Sequence, residues 1–261
     1  MKTLVKILTQ NLIHQIDLQG ILLLNKAKGD TSFSYIPKLR RLSGIKKIGH
    51  AGTLDPLAEG LLIFLIGKRF TTKADAFLHL DKDYVATIYL GEGTDTYDQE
   101  GKILKRSEKI PKIQEIMKTL SQFQGKISQI PPMFSAKKVG GKKLYELARK
   151  DITIERKPIN VEVDIALLNY TYPYLSIQVT CSKGTYIRSL AEDIGNALGT
   201  YGHLSSLERT RIGPFHLKNA LSAATLLQDI QENNPSHLKD FLLKEALLPA
   251  FAEIVKNTSS D

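Results

Sequence analysis

The order of apolar segments along the chain restricts its fold more than any other feature of the sequence. Five segments have the apolar, β-branched or aromatic composition of strands: residues 21–24, 61–66, 84–90, 161–167 and 175–180. The last two alternate apolar and polar residues on either side of Tyr172 and Pro173. This arrangement predicts an antiparallel hairpin.

Helical patterns occur between the strand segments, but not after each of them. They cover residues 33–42, 70–80, 187–198, 221–230 and 237–247. In the third pattern, Ile187, Leu190 and Ile194 recur at helical spacing, and Gly199 predicts its end. Because strict βαβ alternation is absent, the sequence predicts an α+β fold. We expect a mixed, mostly antiparallel central sheet flanked by helices.

The charge balance indicates the class of partner. The 261 residues include 36 Lys and Arg against 27 Asp and Glu, a formal net charge of +9. Such an excess favours polyanions, nucleic acid before a membrane surface. The alternative is a soluble protein whose basic charge has no specific partner.

The number of cysteines and the length of the apolar runs indicate the cellular compartment of the protein. Cys181 is the one cysteine, so an intramolecular disulfide and a zinc finger are both excluded. The longest apolar run, residues 61–66, is far shorter than the roughly 20 residues that span a bilayer. We expect a cytoplasmic monomer that does not associate with a membrane.

Cofactor motifs do not match the sequence. Six residues separate Gly60 from Gly67 before Lys68, whereas a P-loop requires four. The segment 91–93 lacks the third glycine of a dinucleotide fingerprint, and no HExxH is present. The acidic loop 95–100 could hold a cation, but a polar turn is the favoured interpretation. We predict neither a cofactor nor a metal.

A basic stretch at residues 124–151 interrupts the strand and helix patterns. It contains clustered cations, including Lys137, Lys142 and Lys143, together with Gly140 and Gly141. Glycines beside cations are typical of an arm that closes on a phosphate backbone. A solvated surface loop is the alternative.

Two polar clusters are candidates for chemistry. Residues 49–62 place His50 and Asp55 among glycines just before a strand segment. An aspartate fixed there could act as nucleophile or base, or could only cap a turn. Arg188 opens the amphipathic helix close to Tyr186. It could hold a carboxylate ionised, or lie on the helix surface.

Six sequence blocks, taken in order, resemble the TruB family of tRNA pseudouridine synthases. They are GILLLNKAKGDTS (20–32), KIGHAGTLDPLAEGLL (47–62), DKDYVATIYLGEGTDTYDQEG (81–101), QIPPMFSAKKVGGKKLYELAR (129–149), CSKGTYIRSLAEDIG (181–195) and GHLSSLERTRIGPF (202–215). The resemblance implies a pseudouridine synthase fold with a basic RNA-clamping loop, which stretch 129–149 matches.

The resemblance also implies roles for individual residues. Asp55 matches the catalytic aspartate, Arg188 the arginine that pairs with it, and Tyr186 a tyrosine facing the target base. Four further positions match substrate contacts: Tyr84 for base stacking, Leu207 for the uracil pocket, His50 for RNA contact during flipping, and Lys26 for an active-site lysine. Lys137, Lys142 and Lys143 match the clamping loop.

The implied reaction isomerises the T-loop uridine of tRNA (tRNA position 55) to pseudouridine after base flipping, without a cofactor. Whether Asp55 attacks the sugar C1′ or abstracts a proton at C2′ stays open. One alternative is a non-catalytic tRNA-binding or tRNA-folding chaperone on the same fold. Another is a hydrolase that uses Asp55 and Glu59 as a carboxylate pair.

The resemblance suggests a division of the chain into domains. Residues 1–19 form an N-terminal extension, and residues 20–215 form the catalytic domain with its basic insertion at 124–151. We expect residues 216–261 to form a short helical segment, too short for the complete PUA RNA-binding domain of many bacterial members. The family's Lys-Pro at the first block is Lys26-Ala27 in this chain, and Lys143 replaces a common arginine.

Overall fold

The computed structural model describes residues 18–135, 137–150 and 152–243. Most of the predicted N-terminal extension and residues 244–261 of the predicted C-terminal segment lie outside this range. The side chains of Lys138, Lys142 and Lys143 also lie outside the described part.

Fifteen strands occur in the described residues. They are β1 (Gly20–Lys26), β2 (Ile48–Ala51), β3 (Glu59–Ile66), β4 (Lys82–Leu90), β5 (Glu92–Thr94), β6 (Ile103–Arg106), β7 (Gly125–Gln129), β8 (Lys138–Val139), β9 (Lys142–Lys143), β10 (Ile159–Thr171), β11 (Tyr174–Cys181), β12 (Gly202–Ile212), β13 (Phe215–His216), β14 (Leu221–Ser222) and β15 (Leu242–Leu243). Eleven of them form one sheet, whose main order is β14-β1-β3-β12-β4-β11-β10-β7.

The sheet is mostly antiparallel, as predicted. Only the β1–β14 and β3–β12 pairs are parallel among the described strands. The predicted hairpin is confirmed as β10 and β11, which pair from Val163 with Cys181 to Thr171 with Tyr174. The fold prediction of an α+β protein with a mixed central sheet is therefore confirmed.

Eight α-helices occur in the described part. They are α1 (Tyr35–Ser43), α2 (Lys68–Thr71), α3 (Ala74–Leu78), α4 (Ile113–Leu120), α5 (Leu144–Ala148), α6 (Ile187–Ala197), α7 (Ala223–Glu232) and α8 (Ser236–Phe241). None of the described helices has the length and apolarity that a membrane crossing requires. Helix α6 packs on β12 so closely that a Cβ at Gly195 would overlap the backbone of Gly202.

Three helix predictions were wrong in detail. The pattern at 70–80 is split into α2 and α3, with Thr72 and Lys73 between them. The pattern that begins at residue 221 becomes helical only at Ala223, because Leu221 and Ser222 pair with the edge of β1. Residues 242 and 243, predicted as helix, also pair with β1. An unpaired strand edge in the folded protein overrides local helical periodicity.

Candidate active site

A cavity of about 640 Å³ opens where β4 and β12 meet the loop between β2 and β3. Five of the predicted site residues line it: Asp55, Tyr84, Tyr186, Arg188 and Leu207. They come from a loop, two adjacent strands and the start of α6. The fold thus brings together residues that are distant in the sequence.

An ion pair lies at the wall of this cavity. The Nε of Arg188 is 3.0 Å from Oδ2 of Asp55. The arginine side chain is only 7% exposed, whereas the aspartate is 49% exposed. A buried, well-held cation therefore orients a carboxylate that still faces the open cavity. The predicted pairing of Arg188 with a carboxylate is present in the structure.

The remaining donors of Arg188 fix its guanidinium. Its Nη1 donates to the carbonyl of Thr96 at 3.1 Å, and its Nη2 donates to that of Phe134 at 2.7 Å. The buried carboxylate of Asp98 lies 3.7 Å from Nη1. Because these contacts hold both Nη atoms of the planar guanidinium, they also fix the direction in which Nε points toward Asp55.

Tyr84 and Leu207 form the apolar part of the cavity. They lie on the neighbouring strands β4 and β12, where Leu207 pairs with Ala86 and Tyr84 pairs with Arg209. Tyr84 is 7% exposed and Leu207 is 9% exposed. Burial raises the pKa of the Tyr84 hydroxyl, so this side chain is an uncharged ring at neutral pH.

Comparisons with known proteins identify the family. A sequence model described as "TruB family pseudouridylate synthase (N terminal domain)" matches residues 40–187. A second, described as "tRNA pseudouridylate synthase B C-terminal domain", matches residues 188–251. The chain belongs to the TruB family of pseudouridylate synthases. The family predicted from the six sequence blocks is confirmed.

Relatives within the TruB family are similar over most of their length. The chain is 55% identical over 209 residues to tRNA pseudouridine synthase B of Protochlamydia amoebophila (strain UWE25), covering 80% of each protein. It is 51% identical over 223 residues to tRNA pseudouridine synthase B of Chlamydia abortus (strain DSM 27085 / S26/3), covering 85% of this chain and 94% of that protein.

Solved structures support the fold of this TruB-family chain. A crystal structure of a Cbf5-Nop10-Gar1 complex contains a chain that is 26% identical, with a TM-score of 0.68. The match covers 88% of the present chain and 61% of the solved one. The predicted pseudouridine synthase fold is confirmed.

Lys26 holds the backbone beside the TruB-family cavity and does not line the cavity itself. It is fully buried, and its Nζ donates to the carbonyls of Ala27 at 2.9 Å and Asp30 at 2.6 Å. The carbonyl of Pro56, next to Asp55, is 3.5 Å away. Burial lowers the pKa of this amine. In this structure Lys26 therefore supports the loop that carries Asp55.

His50 lies on β2, before the loop that carries Asp55. Its Nε2 is 3.1 Å from Oγ1 of Thr53, a cavity residue, and its ring lies against Phe64. Burial lowers the pKa of His50, and the nearby charge of Arg209 adds to this effect. The imidazole is therefore uncharged at neutral pH. Its contact with RNA stays a prediction.

The basic insertion has a defined backbone. Strands β8 and β9 pair as a hairpin whose turn contains Gly140 and Gly141, both at positive φ. Lys137 precedes this hairpin, and its carbonyl accepts a hydrogen bond from the N–H of Leu144. Because the side chains of Lys142 and Lys143 lie outside the described part, their contacts with RNA stay predictions.

Sequence reasoning missed Arg209. This side chain is 1% exposed; its Nε donates to the carbonyl of Leu61 and its Nη2 to that of Gly52. It thereby ties both sides of the loop that carries Asp55 to β12. Its place in the sixth sequence block, residues 202–215, was the available signal.

Lys82 is a second cavity residue that sequence reasoning missed. Its Nζ donates to the carbonyls of Leu78 and Leu80, and burial lowers its pKa to about 8. Cys181 lines the same cavity, and burial raises the pKa of its thiol to about 11. A cysteine with this pKa stays a thiol at neutral pH and is a poor nucleophile.

The acidic loop 95–100 is a polar turn. The Oδ1 of Asp98 accepts hydrogen bonds from Oγ1 of Thr96 at 2.6 Å and from the N–H of Glu100 at 3.1 Å. The described residues contain no His, Cys, Asp and Glu cluster suited to a metal. The loop instead contributes the Thr96 carbonyl to Arg188.

Proposed function

We propose that this protein isomerises the T-loop uridine of tRNA to pseudouridine, with Asp55 as the catalytic residue. The observation that carries the proposal is the Asp55–Arg188 pair at the wall of a cavity lined by Tyr84 and Leu207. Membership of a pseudouridylate synthase family supports the reaction. The relatives named tRNA pseudouridine synthase B support tRNA as the substrate.

The chemistry fits the groups that this chain offers. The N-glycosidic bond of the uridine breaks, the uracil turns, and C5 joins C1′ while a proton leaves C5 and N1 gains one. The overall reaction is an isomerisation, so no electron or group donor enters. Asp55 either attacks C1′ or removes a proton at C2′, and both routes need an ionised carboxylate. Arg188 holds that carboxylate toward the open part of the cavity.

The apolar part of the cavity suits a detached base. Unstacking a nucleotide costs a few kcal/mol, which the contacts made by the flipped base offset. The uncharged Tyr84 ring can stack on uracil, and Leu207 can pack against its edge. We also propose that Tyr186, at the start of α6, faces the base. The cavity therefore has polar side chains at its wall and apolar side chains inside it, a combination that suits the binding of a nucleoside.

The test is tritium release from unmodified tRNA labelled at uridine C5, followed by mapping of the new residue. We expect release and a pseudouridine in the T-loop. Salt-dependent tRNA binding without release would instead indicate the binding-only alternative. The hydrolase alternative is disfavoured because Glu59 is exposed and does not line the cavity. We also propose that the protein works in the cytoplasm, because its proposed substrate is tRNA, and that it works there as a monomer.

A basic edge supports RNA as the partner. It consists of six exposed cations: Arg40, Arg41, Lys46, Lys47, Lys68 and Arg69. The N–H of Gly67 donates to the carbonyl of Lys47 at 2.8 Å, which joins two of the contributing segments. Segments 31–54 and 60–74 contain no Asp or Glu. Strand β2 runs from this edge toward the loop of Asp55.

Neutralising part of the basic edge is expected to weaken tRNA binding. For Lys46→Gln/Lys47→Gln, we expect the Kd to rise roughly tenfold and the salt slope of log K to fall by about 1–2, because two phosphate contacts are lost. Filter binding over a salt series measures both quantities. Lys118→Gln/Lys239→Gln removes the same charge from α4 and α8 as a control. Equal losses in both double variants would contradict a specific role for the basic edge.

A further inference from the structure

Side chains and carbonyls bind the root of the basic insertion, residues 129–134, to the first turn of α6. We propose that Gln129 is a positioning residue that aligns Tyr186 and Arg188 for the reaction. This inference rests on the function proposed above. It assigns a role to a residue that neither contacts Asp55 nor itself lines the cavity.

The side chain of Gln129 forms two hydrogen bonds with the backbone of Tyr186. It is the last residue of β7 and only 1% exposed. Its Nε2 donates to the carbonyl of Tyr186 at 3.0 Å, and the N–H of Tyr186 donates to its Oε1 at 2.8 Å. An amide side chain supplies one donor and one acceptor, which this geometry uses at every pH. The pair of bonds therefore sets the orientation of residue 186.

The orientation of residue 186 determines where α6 begins. Tyr186 directly precedes the helix, and its carbonyl also accepts the hydrogen bond from the N–H of Leu190. Arg188 is the second residue of the same turn. A shift of Tyr186 would therefore move the guanidinium that faces Asp55.

The next residues of the insertion root contact the same turn. Oγ of Ser189, which is 2% exposed, donates to the carbonyl of Ile130 at 3.0 Å. Arg188 donates to the carbonyl of Phe134 at 2.7 Å. These hydrogen bonds connect the root of the basic insertion to the residue that pairs with Asp55. Gln129 is the fixed end of this connection.

The chain offers a control with the same hydrogen-bond pattern at Gln124, an exposed residue just before β7. Gln124 forms the same two hydrogen bonds with the backbone of Ile165 in β10. Its Nε2 donates to the carbonyl of Ile165 at 2.6 Å, and the N–H of Ile165 donates to its Oε1 at 2.9 Å. These hydrogen bonds are made to β10 rather than to α6. Comparing Gln129→Leu with Gln124→Leu therefore separates the effect of misaligning α6 from the general effect of losing two hydrogen bonds between an amide side chain and a backbone.

The experiment measures kcat and KM for tRNA, with thermal unfolding of each variant. We expect Gln129→Leu to lower kcat by roughly 10–100-fold at little change in KM, because small misplacements of catalytic groups cost about that much. Gln124→Leu should lower kcat by less than about threefold on the same grounds. Equal kcat losses in the two variants would overturn the inference.

A second variant keeps the shape of the side chain. In Gln129→Glu an ionised carboxylate accepts from Tyr186 N–H but cannot donate to its carbonyl, whereas the protonated acid does both. Burial raises the pKa of such a carboxyl. The kcat of Gln129→Glu relative to wild type should therefore rise as the pH falls from 8.5 to 6. A flat ratio would overturn this inference alone, and a wild type without turnover would overturn it together with the proposed function.

Discussion

Replacement of Asp55 by asparagine is expected to abolish pseudouridine formation while leaving tRNA binding intact. The amide keeps the size of the side chain but removes the charge that attacks C1′ or takes the C2′ proton. We expect kcat to fall by at least about 10⁴-fold, the upper range for loss of an acid–base group. Tritium release under single-turnover conditions measures the loss, and filter binding measures affinity.

The fold does not depend on this carboxylate. Asp55 is half exposed, and Arg188 keeps its contacts with Thr96, Phe134 and Asp98 when the charge is removed. Asp55→Ala is made alongside, because an asparagine can return to aspartate by deamidation. Asp164→Asn on the exposed face of β10 is the matched control and should keep wild-type turnover. Sustained turnover by Asp55→Ala would refute the proposed mechanism.

Replacement of Arg188 by methionine should give the second largest loss. Methionine fills a similar volume but offers no donor to Asp55, Thr96 or Phe134. We expect kcat to fall by about 10²–10³-fold, as when one preorganised electrostatic contact is removed. Arg188→Lys should recover only part of it, because an ammonium cannot reproduce the planar fork.

The same change should also reduce stability. Breaking a buried ion pair costs about 3–5 kcal/mol, and the half-exposed Asp55 places this pair at the lower end. Arg211→Met is the matched control. Arg211 forms a two-point pair with Asp83, at 2.5 and 2.6 Å, outside the cavity. We expect the control to lose thermal stability but keep kcat. A similar kcat loss in both variants would mean that the effect of Arg188 is general destabilisation.

Local periodicity explains which parts of the fold were predictable. Alternation along 161–167 and 175–180 is visible in the sequence, because it reflects one buried face of each strand. The hairpin β10–β11 was predicted correctly for this reason. Residues 221–222 and 242–243 were not, because their conformation depends on the edge of β1, which exists only in the folded sheet.

The sequence alone determined the family. The resemblance of its ordered motifs predicts roles for Asp55, Tyr84 and Arg188, and these roles stay predictions. Only the tertiary structure decided how Asp55 is held. Arg209 ties its loop to β12, and Gln129 fixes the turn that presents Arg188. Lys26, predicted as a substrate contact, supports the same loop through backbone carbonyls. These contacts join a side chain to the backbone of a distant segment. Every residue has a backbone carbonyl, so a sequence pattern does not indicate which carbonyl will accept a hydrogen bond. Such partners can be identified only in the folded chain.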